Sequence, residues 1–489
     1  MDTITTQKLS TPKTTTSDRC LQQSALKRYS GVFKATATAV TDPFNTDDVV
    51  ENPSVVISRE LAKGDFIDTT IYAHEVHGRW IARIEWSLTV EPFDGRSKLP
   101  GRYSERHTSK VDAVDAAFNL LFQQIENQLG AQVLDATWAK QIATLRQWTA
   151  KVHEDLCKAD QKLPLTGITT IEAFAGTGTA SLAFKSQGAT PLLVIERDEY
   201  ALAVCQRNLK PQHVHRDILD FDGKGWKCHV LMFGAPCTAM SKSGNGEGLK
   251  DAVVGPSHHA AMKMVRDVDF KVAIVECAPE LLEPKFKADL AEWRMAFMRR
   301  GCDVQFRVMD AADFNLPQSR RRTIMIATRG DVNVDEILGV MFPKALPHTT
   351  TVKDILQPHV ADDQHLGHID FSEVVWKTKL RKSRRGLKQI GCIGGKPGQG
   401  YRVYDPNASV GPTITATGGG RARCTNAYLI DGEVRGLTPC EAWRMQGLPE
   451  WFEYDAHIGR ALKQAGNALA YPLFQALGAQ LASVLKPST

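Results

Sequence analysis

The chain lacks the sequence devices that build a metal-held or disulfide-stapled scaffold. Its ten cysteines are scattered over 489 residues, none in a CxxC pair, and no CxxC…HxxxH spacing occurs. The common zinc patterns are therefore absent, and the thiols are expected to be reduced. No apolar run approaches the roughly 18 residues of a membrane span. The opening Met1-Asp2-Thr3 lacks the basic and apolar regions of a signal peptide, so a cytoplasmic protein is expected. An excess of charge of one sign is missing too. Sixty Lys and Arg stand against 55 Asp and Glu, a net +5, which is compatible with nucleic acid without demanding it.

What is present is an ordinary globular composition, 43% apolar, in a chain long enough for two or three domains. The charge is unevenly distributed. Trp376 to Gln389 reads WKTKLRKSRRGLKQ, seven Lys or Arg and no acid. That run is either a solvated basic face or a phosphate-contacting surface.

Residues 1–60 are rich in Thr, Ser and Asp with few recurring apolar positions, and are expected to be disordered. A small α+β unit is expected over 61–135. Trp80, Ala82, Ile84, Trp86, Leu88 and Val90 alternate with polar residues as in a half-buried strand. Ile71 to Val76 is its candidate hairpin partner across His77-Gly78. Val111, Val114, Ala117, Leu121 and Ile125 follow at helical spacing. Arg102, Arg106 and Lys110 make an accessory DNA contact one reading of this unit and a structural appendage the other. A helical linker is expected over 136–165. From Thr166 apolar strands alternate with helices: Ile168 to Phe174, Leu192 to Ile195, Val230 to Phe233, Val272 to Val275 and Thr323 to Ala327. This pattern indicates an α/β domain with a largely parallel sheet over 166–348. Residues 349–428, rich in glycine and basic residues, read as an inserted second domain, and 429–489 as a return to the first.

The first chemical signal is Glu172-Ala-Phe-Ala-Gly-Thr-Gly-Thr-Ala-Ser181, a glycine turn after a strand and before a helix, where backbone N–H groups can approach a ligand. Glu196 ends the next strand, where an acid can take both hydroxyls of a ribose, and Asp217 follows in position for an adenine amino group. GTGTAS is nearly the dinucleotide fingerprint GxGxxG, so at this point a nicotinamide dehydrogenase remains open. The next strand ends in Phe233-Gly-Ala-Pro-Cys-Thr-Ala-Met-Ser-Lys-Ser-Gly244. Such strand ends face substrates in parallel sheets, and Pro236 stiffens the turn that carries Cys237. The strand after it ends in Val275-Glu276-Cys277-Ala278. Beside it in space, if strand order is sequential, lies the Cys237 loop. Leu316-Pro-Gln-Ser-Arg-Arg-Arg322 precedes a further strand.

Taken together, Phe174-Ala-Gly176, Glu196, Pro236-Cys237, Glu276, Gln318-x-Arg320-x-Arg322, Arg435-Gly-Leu-Thr-Pro-Cys-Glu-Ala-Trp-Arg-Met-Gln-Gly447 and Gly466-Asn467-Ala468 resemble the ordered motifs of the DNA (cytosine-5) methyltransferases. They run from about 168 to 480 in matching order and spacing. Gly394-x-x-Pro-Gly-Gln-Gly-Tyr-Arg-Val-Tyr404, followed by Gly418-Gly-Gly420, is particularly similar to the target domain of HhaI-type methyltransferases.

The resemblance implies a Rossmann-like, S-adenosylmethionine-dependent methyltransferase domain with a smaller inserted target-recognition domain, here behind a small N-terminal α+β domain. It implies double-stranded DNA as partner, no metal and no membrane. A monomer is expected, and a cognate restriction endonuclease and an orphan enzyme of phage origin both fit. Cys237 would add to C6 of a flipped cytosine. Glu276 would hold N3 and the amino group, Arg322 would polarise O2, and Arg320 would support the loop or a phosphate. For S-adenosylmethionine, Phe174 would lie against the adenine, and Ala175, Gly176, Thr177, Gly178 and Thr179 would form the turn around the methionine part. Glu196, Arg197, Asp217, Ile218, Pro236, Asn467 and Ala468 would complete the pocket. Ser243 and Gln399 would fill the gap left by the flipped base, and Arg402 would read a guanine.

The sequence departs from the family pattern in places. Ala235 precedes Pro236-Cys237, Thr238 stands for the usual Gln, and Cys277-Ala278 replaces the Asn-Val after Glu276. Arg197 takes the place of an aromatic, so the adenine either loses a stacking partner or gains a cation–π one. No reacting group is lost, so activity is expected. The dehydrogenase offers no role for Pro236-Cys237 or the arginine motif. An RNA cytosine methyltransferase and a catalytically silent DNA-binding protein remain as rivals.

Overall fold

The alternation near the N-terminus forms a sheet. In the computed structural model, which describes residues 55–58, 67–76, 79–88, 110–129, 136–159, 163–236, 239–240, 246–330, 342–358, 360, 368–369, 374–377, 386–396, 399–416 and 427–485, the strands β1 (Val55–Ser58), β2 (Ile67–Val76) and β3 (Arg79–Leu88) pair antiparallel in that order. Ile71 faces Ile84 and Val76 faces Arg79 across the β2–β3 ladder. Ile67, Thr69, Ile71 and Ala73 are buried, the period of two that one covered face requires. The expectation of disorder over 1–60 is corrected at β1, whose four residues VVIS are β-branched at three positions and pair with Thr70 to Ala73; residues 1–54, 59–60 and the turn at His77-Gly78 lie outside the described residues. Helix α1 (Lys110–Leu129) buries Val111, Val114, Phe118, Leu121, Phe122 and Ile125 along one stripe. Helix α2 (Ala136–Ala159) follows. The chain divides into two compact units, one of residues 1–125 and 140–148 and a second of residues 126–139 and 149–489.

The second unit is built on a seven-stranded sheet of β4 (Thr169–Ala173), β5 (Thr190–Ile195), β6 (His213–His215), β7 (Val230–Gly234), β8 (Val272–Cys277), β9 (Cys302–Asp310) and β10 (Arg321–Arg329), ordered β6-β5-β4-β7-β8-β10-β9. The five strands from β6 to β8 run parallel, and β10 runs antiparallel to both β8 and β9. Four of these five parallel strands match the sequence reading; β6, three residues long with exposed or half-buried positions, was not read as a strand. The antiparallel hairpin and β9 itself were not legible, because CDVQFRVMD sits at the sheet edge with mostly exposed or half-buried positions and carries no apolar run. Central strands are covered on both faces and read as continuous apolar runs. Ile171, Leu231, Phe233, Ala273, Val275 and Met325 form one cluster with Trp293 and Phe297.

Helices α3 (Thr179–Lys185), α4 (Glu199–Leu209), α5 (Gly255–Asp267) and α6 (Lys287–Met298) alternate with the strands of this sheet along the chain, and α7 (Pro439–Met445) follows a second sheet. The second sheet holds β11 (His368–Ile369), β12 (Val374–Trp376), β13 (Gln389–Lys396), β14 (Gln399–Tyr404), β15 (Ala427–Ile430) and β16 (Glu433–Arg435), ordered β11-β16-β15-β14-β13-β12. Val374, Ile393, Val403, Ala427 and Val434 form its core. The chain ends in α8 (Ile458–Asn467) and α9 (Tyr471–Leu485), and α9 lies against α3. Gln187 Nε2 donates to the Gln475 carbonyl (2.9 Å) where these two helices meet. No helix among the described residues is long and apolar enough to cross a membrane.

A buried ion pair anchors α7. Thr438 and Glu441 form a capping box with Pro439 at the first turn. Glu441 also takes both guanidinium nitrogens of Arg435 (2.8 and 2.9 Å) and the Gln357 N–H (2.9 Å), and is 0% exposed. Removing one partner leaves an uncompensated buried charge, which costs about 3–5 kcal/mol. Glu441→Ala is therefore expected to lower the unfolding free energy by about 3 kcal/mol or more in urea titrations; a loss under about 1 kcal/mol would place the anchor elsewhere.

Candidate active site

The turn between β4 and α3 is shaped by its backbone. Phe174, Gly176 and Gly178 all have positive φ, at 56°, 55° and 76°. A Cβ on Gly178 would lie 2.6 Å from Cys205 Sγ, so this position needs glycine for both conformation and packing. Gly176 has no heavy atom near where its Cβ would sit; that side is open to a cavity of about 390 Å³. Glu196, at the end of β5, braces the turn. Its Oε2 accepts from the Gly176 N–H (2.7 Å) and its Oε1 from the Asp198 N–H (2.7 Å). Burial pushes the Glu196 carboxyl up, and these N–H donors pull the other way.

The cavity brings together most of the residues singled out from sequence. Phe174, Ala175, Gly176, Thr177 and Thr179 come from the turn, Glu196 and Arg197 from the end of β5, and Asp217 and Ile218 from the segment after β6. Pro236 lies beyond β7, and Asn467 and Ala468 at the end of α8. Glu276, Arg320 and Arg322 line it too. Gly178 does not: it packs beneath the turn against α4. Sequence reasoning missed Ser257 on α5 and Lys463 and Gln464 on α8, and named Gly466 only as part of the motif around Asn467. Gln464 lies two residues before that motif and was within reach of it; Ser257 and Lys463 carried no signal.

Glu276 and Arg322 meet inside the cavity because β8 and β10 pair antiparallel with Ile324 opposite Glu276. Arg322 Nε lies 2.8 Å from Glu276 Oε1, with both side chains largely buried. The Ala235 N–H donates to the Glu276 carbonyl (3.2 Å), so the root of the Pro236-Cys237 turn is fixed to the same strand end. Pro236 receives a second bond: its carbonyl accepts from His258 Nε2 (2.8 Å). Cys237, Thr238 and Ser243 lie outside the described residues. So does the side chain of Gln399, whose backbone belongs to β14. Arg402 is on the same strand with its side chain exposed. Of the basic run, Lys377 and Lys388 are described, both exposed, and Lys388 pairs with Asp405 (3.4 Å); residues 378–385 lie outside.

Arg320 lines the cavity with its guanidinium turned to main-chain carbonyls. It is 3% exposed and donates to the carbonyls of Ile414 (2.9 Å), Gly466 (2.9 Å) and Ala468 (2.8 Å). Three carbonyls from two chain segments, 414 and 466–468, thus hold the guanidinium. A Cβ on Gly466 would meet the backbone of Thr415 at 2.3 Å, so glycine there permits the approach that Arg320 brackets. Gln318 adds to the bracket: its Oε1 accepts from the Ile414 N–H (2.9 Å) and its Nε2 donates to the Met445 carbonyl (3.0 Å).

The family model described as C-5 cytosine-specific DNA methylase matches residues 168–483. The chain belongs to that family. It is a DNA cytosine-5 methyltransferase, 31% identical over 325 residues to the Type II methyltransferase M.HhaI of Haemophilus parahaemolyticus, covering 66% of this chain and 96% of the relative. It is 26% identical to the Type II methyltransferase M1.ScrFI of Lactococcus lactis subsp. cremoris, covering 65% of this chain and 79% of that one. The fold is shared with the S. pombe Dnmt2 methyltransferase at a TM-score of 0.50 and 15% identity, over 65% of this methylase and 98% of that chain.

Behind the turn of this methylase, Glu172 is fully buried on β4, and its Oε2 accepts from the Ser181 N–H (2.9 Å). Burial pushes its carboxyl up from 4.5 to about 7, against the pull of Ser181. A raised carboxyl favours the protonated folded state, so its stabilising contribution is complete below about pH 4.5 and is lost as pH rises through about 7. Glu172→Gln keeps an acceptor for Ser181 and cannot ionise. The stability difference between this variant and the wild type is expected to move by about 3 kcal/mol in the variant's favour between pH 4.5 and 8, read from urea midpoints at each pH. Parallel profiles would contradict it.

Proposed function

We propose that the protein transfers the methyl group of S-adenosylmethionine to C5 of a cytosine flipped out of duplex DNA, through a covalent adduct with Cys237. The observation that carries this reading is the Glu276–Arg322 pair inside the cavity, 2.8 Å apart, beside the Pro236 root of the Cys237 turn. A dehydrogenase would have no use for that arrangement.

The cavity fits the cofactor by size and donor set. Its volume of about 390 Å³ is that of a small-molecule site. Phe174 and Ile218 offer apolar surface to an adenine, and Asp217 an acceptor for its amino group. Glu196 keeps lone pairs for ribose hydroxyls beside those that hold Gly176 and Asp198. Bound there, S-adenosylmethionine supplies a methyl group on a sulfonium, ready for displacement.

The chain's own groups supply the rest. Cytosine C5 is a poor nucleophile, and the Cys237 thiolate raises its reactivity by bonding to C6. The electron pair of the C5–C6 double bond moves into the ring, where Glu276 delivers a proton to N3 and Arg322 stabilises the charge on O2. C5 takes the methyl group; N3 then returns its proton to the Glu276 carboxylate, the C5 proton passes to water, and the electron pair of that C–H bond re-forms the C5–C6 double bond and expels the Cys237 thiolate. The target carbon is inaccessible in a stacked duplex, so the base must swing out; Ser243 and Gln399 fill the gap, and Arg402 reads a guanine through paired donors. On this reading residues 349–428, with strands β15 and β16 that carry the same sheet on to Arg435, are the target-recognition domain, the basic run from Lys377 to Lys388 meets phosphates, and the N-terminal sheet and helix over 61–135 form an accessory domain.

The test is incubation with duplex DNA and tritiated-methyl S-adenosylmethionine, with bisulfite mapping of the product. Wild type is expected to label cytosine at a short recurring target, Cys237→Ser to give no label, and Glu276→Gln to lose about 10²-fold or more in rate. Wild-type DNA binding without label would leave a silent binder, and label on RNA alone would overturn the DNA assignment.

A further inference from the structure

The bond from His258 to Pro236 has no part in the chemistry above, yet it ends on the carbonyl that leads directly into the Cys237 nitrogen. Pro236 has no N–H, so its carbonyl is the only backbone polar group by which this residue can be held. That carbonyl shares a rigid plane with the nitrogen and Cα of Cys237. Fixing the oxygen therefore restrains that plane. The fixing group is His258 Nε2, at 2.8 Å.

His258 is built for this bond rather than for packing alone. It lies in the first turns of α5 and is 0% exposed. Its ring sits edge-on to Trp293 (5.8 Å between centroids, 82°), and Trp293 in turn meets Phe233 on β7 edge-on (5.9 Å, 64°). A carbonyl only accepts, so Nε2 carries the proton and Nδ1 carries none. Nδ1 is buried and has no hydrogen-bond partner among the described residues, a desolvation cost that an apolar ring in the same space would avoid. Burial also lowers the pKa of the imidazole and keeps it neutral. The cost is explained by what the other nitrogen does.

We infer that His258 is a positioning residue for methyl transfer, holding the Pro236–Cys237 peptide plane so that the thiolate meets C6 of the flipped base. The inference rests on the reading of Cys237 as nucleophile. With the Ala235 N–H held by Glu276, the turn is gripped on two sides, from β8 and from α5. A reacting atom displaced by about 1 Å can lose on the order of 10²-fold in rate, so one such bond has a measurable effect.

His258→Phe fills the space without a donor, and His258→Gln keeps an N–H at nearly the same reach. Single-turnover methyl transfer, DNA and cofactor affinity and urea midpoints are measured for wild type and both variants. His258→Phe is expected to slow transfer about tenfold or more with both affinities within about twofold, and His258→Gln to recover to within about threefold of wild type. An unchanged rate in His258→Phe, or equal losses in the two variants, would overturn the inference. Should His258→Phe not fold, the Gln variant decides: near-normal rate with a lowered midpoint supports the role, and a tenfold loss overturns it. All these outcomes are read against an active wild type; an inactive wild type overturns the nucleophile reading itself, and this inference with it.

Discussion

The antiparallel pairing of β10 with β8 is the constraint on which the site depends. A wholly parallel sheet would bring the start of each strand to the opposite edge from its end. Because β10 runs the other way, its first residues stand beside the last residues of β8, and Arg322 reaches Glu276 at 2.8 Å. Just before that strand comes Arg320, two residues earlier, whose three carbonyl partners draw the 414–416 segment and the end of α8 to the cavity. One strand reversal therefore supplies both an electrostatic partner for the acid and the bracket that closes the pocket around Asn467 and Ala468.

The turn after β4 is the second support. Its glycines resemble a dinucleotide fingerprint, but their physical roles differ from position to position. Gly176 borders open space and offers its N–H to Glu196, whereas Gly178 is required by the closeness of Cys205. Glu196 thereby does two things at once: it shapes the turn through backbone donors and presents a carboxylate to the cavity. Phe174, held at positive φ, lines the same space.

Much of this was legible in sequence. Apolar runs ending in Phe174, Ile195, Phe233 and Val275 marked four of the parallel strands, because strands covered on both faces admit little else. Chemistry-bearing residues at their ends marked the cavity. The edge strand Cys302–Asp310 escaped because solvent on its outer side permits polar residues. Arg320 was legible as a motif residue but not as a bracket, since its partners Ile414, Gly466 and Ala468 lie about a hundred or more residues away. His258 carried no signal at all. A histidine in a helix, far from the Pro-Cys turn in sequence, acquires its role only through the fold, which matters here because Cys277 stands where the family pattern has an amide side chain and packs its sulfur 3.8 Å from Met240 Sδ.

The central claim is that Cys237 bonds covalently to the target base. Duplex DNA in which 5-fluorocytosine replaces cytosine tests it most directly, since fluorine at C5 cannot leave as a proton does and the enzyme–base bond cannot be released. With S-adenosylmethionine present, the account predicts a denaturation-resistant protein–DNA complex whose modified peptide, by mass spectrometry, carries the base on Cys237. The absence of any such complex, in a preparation that methylates ordinary DNA, would contradict it.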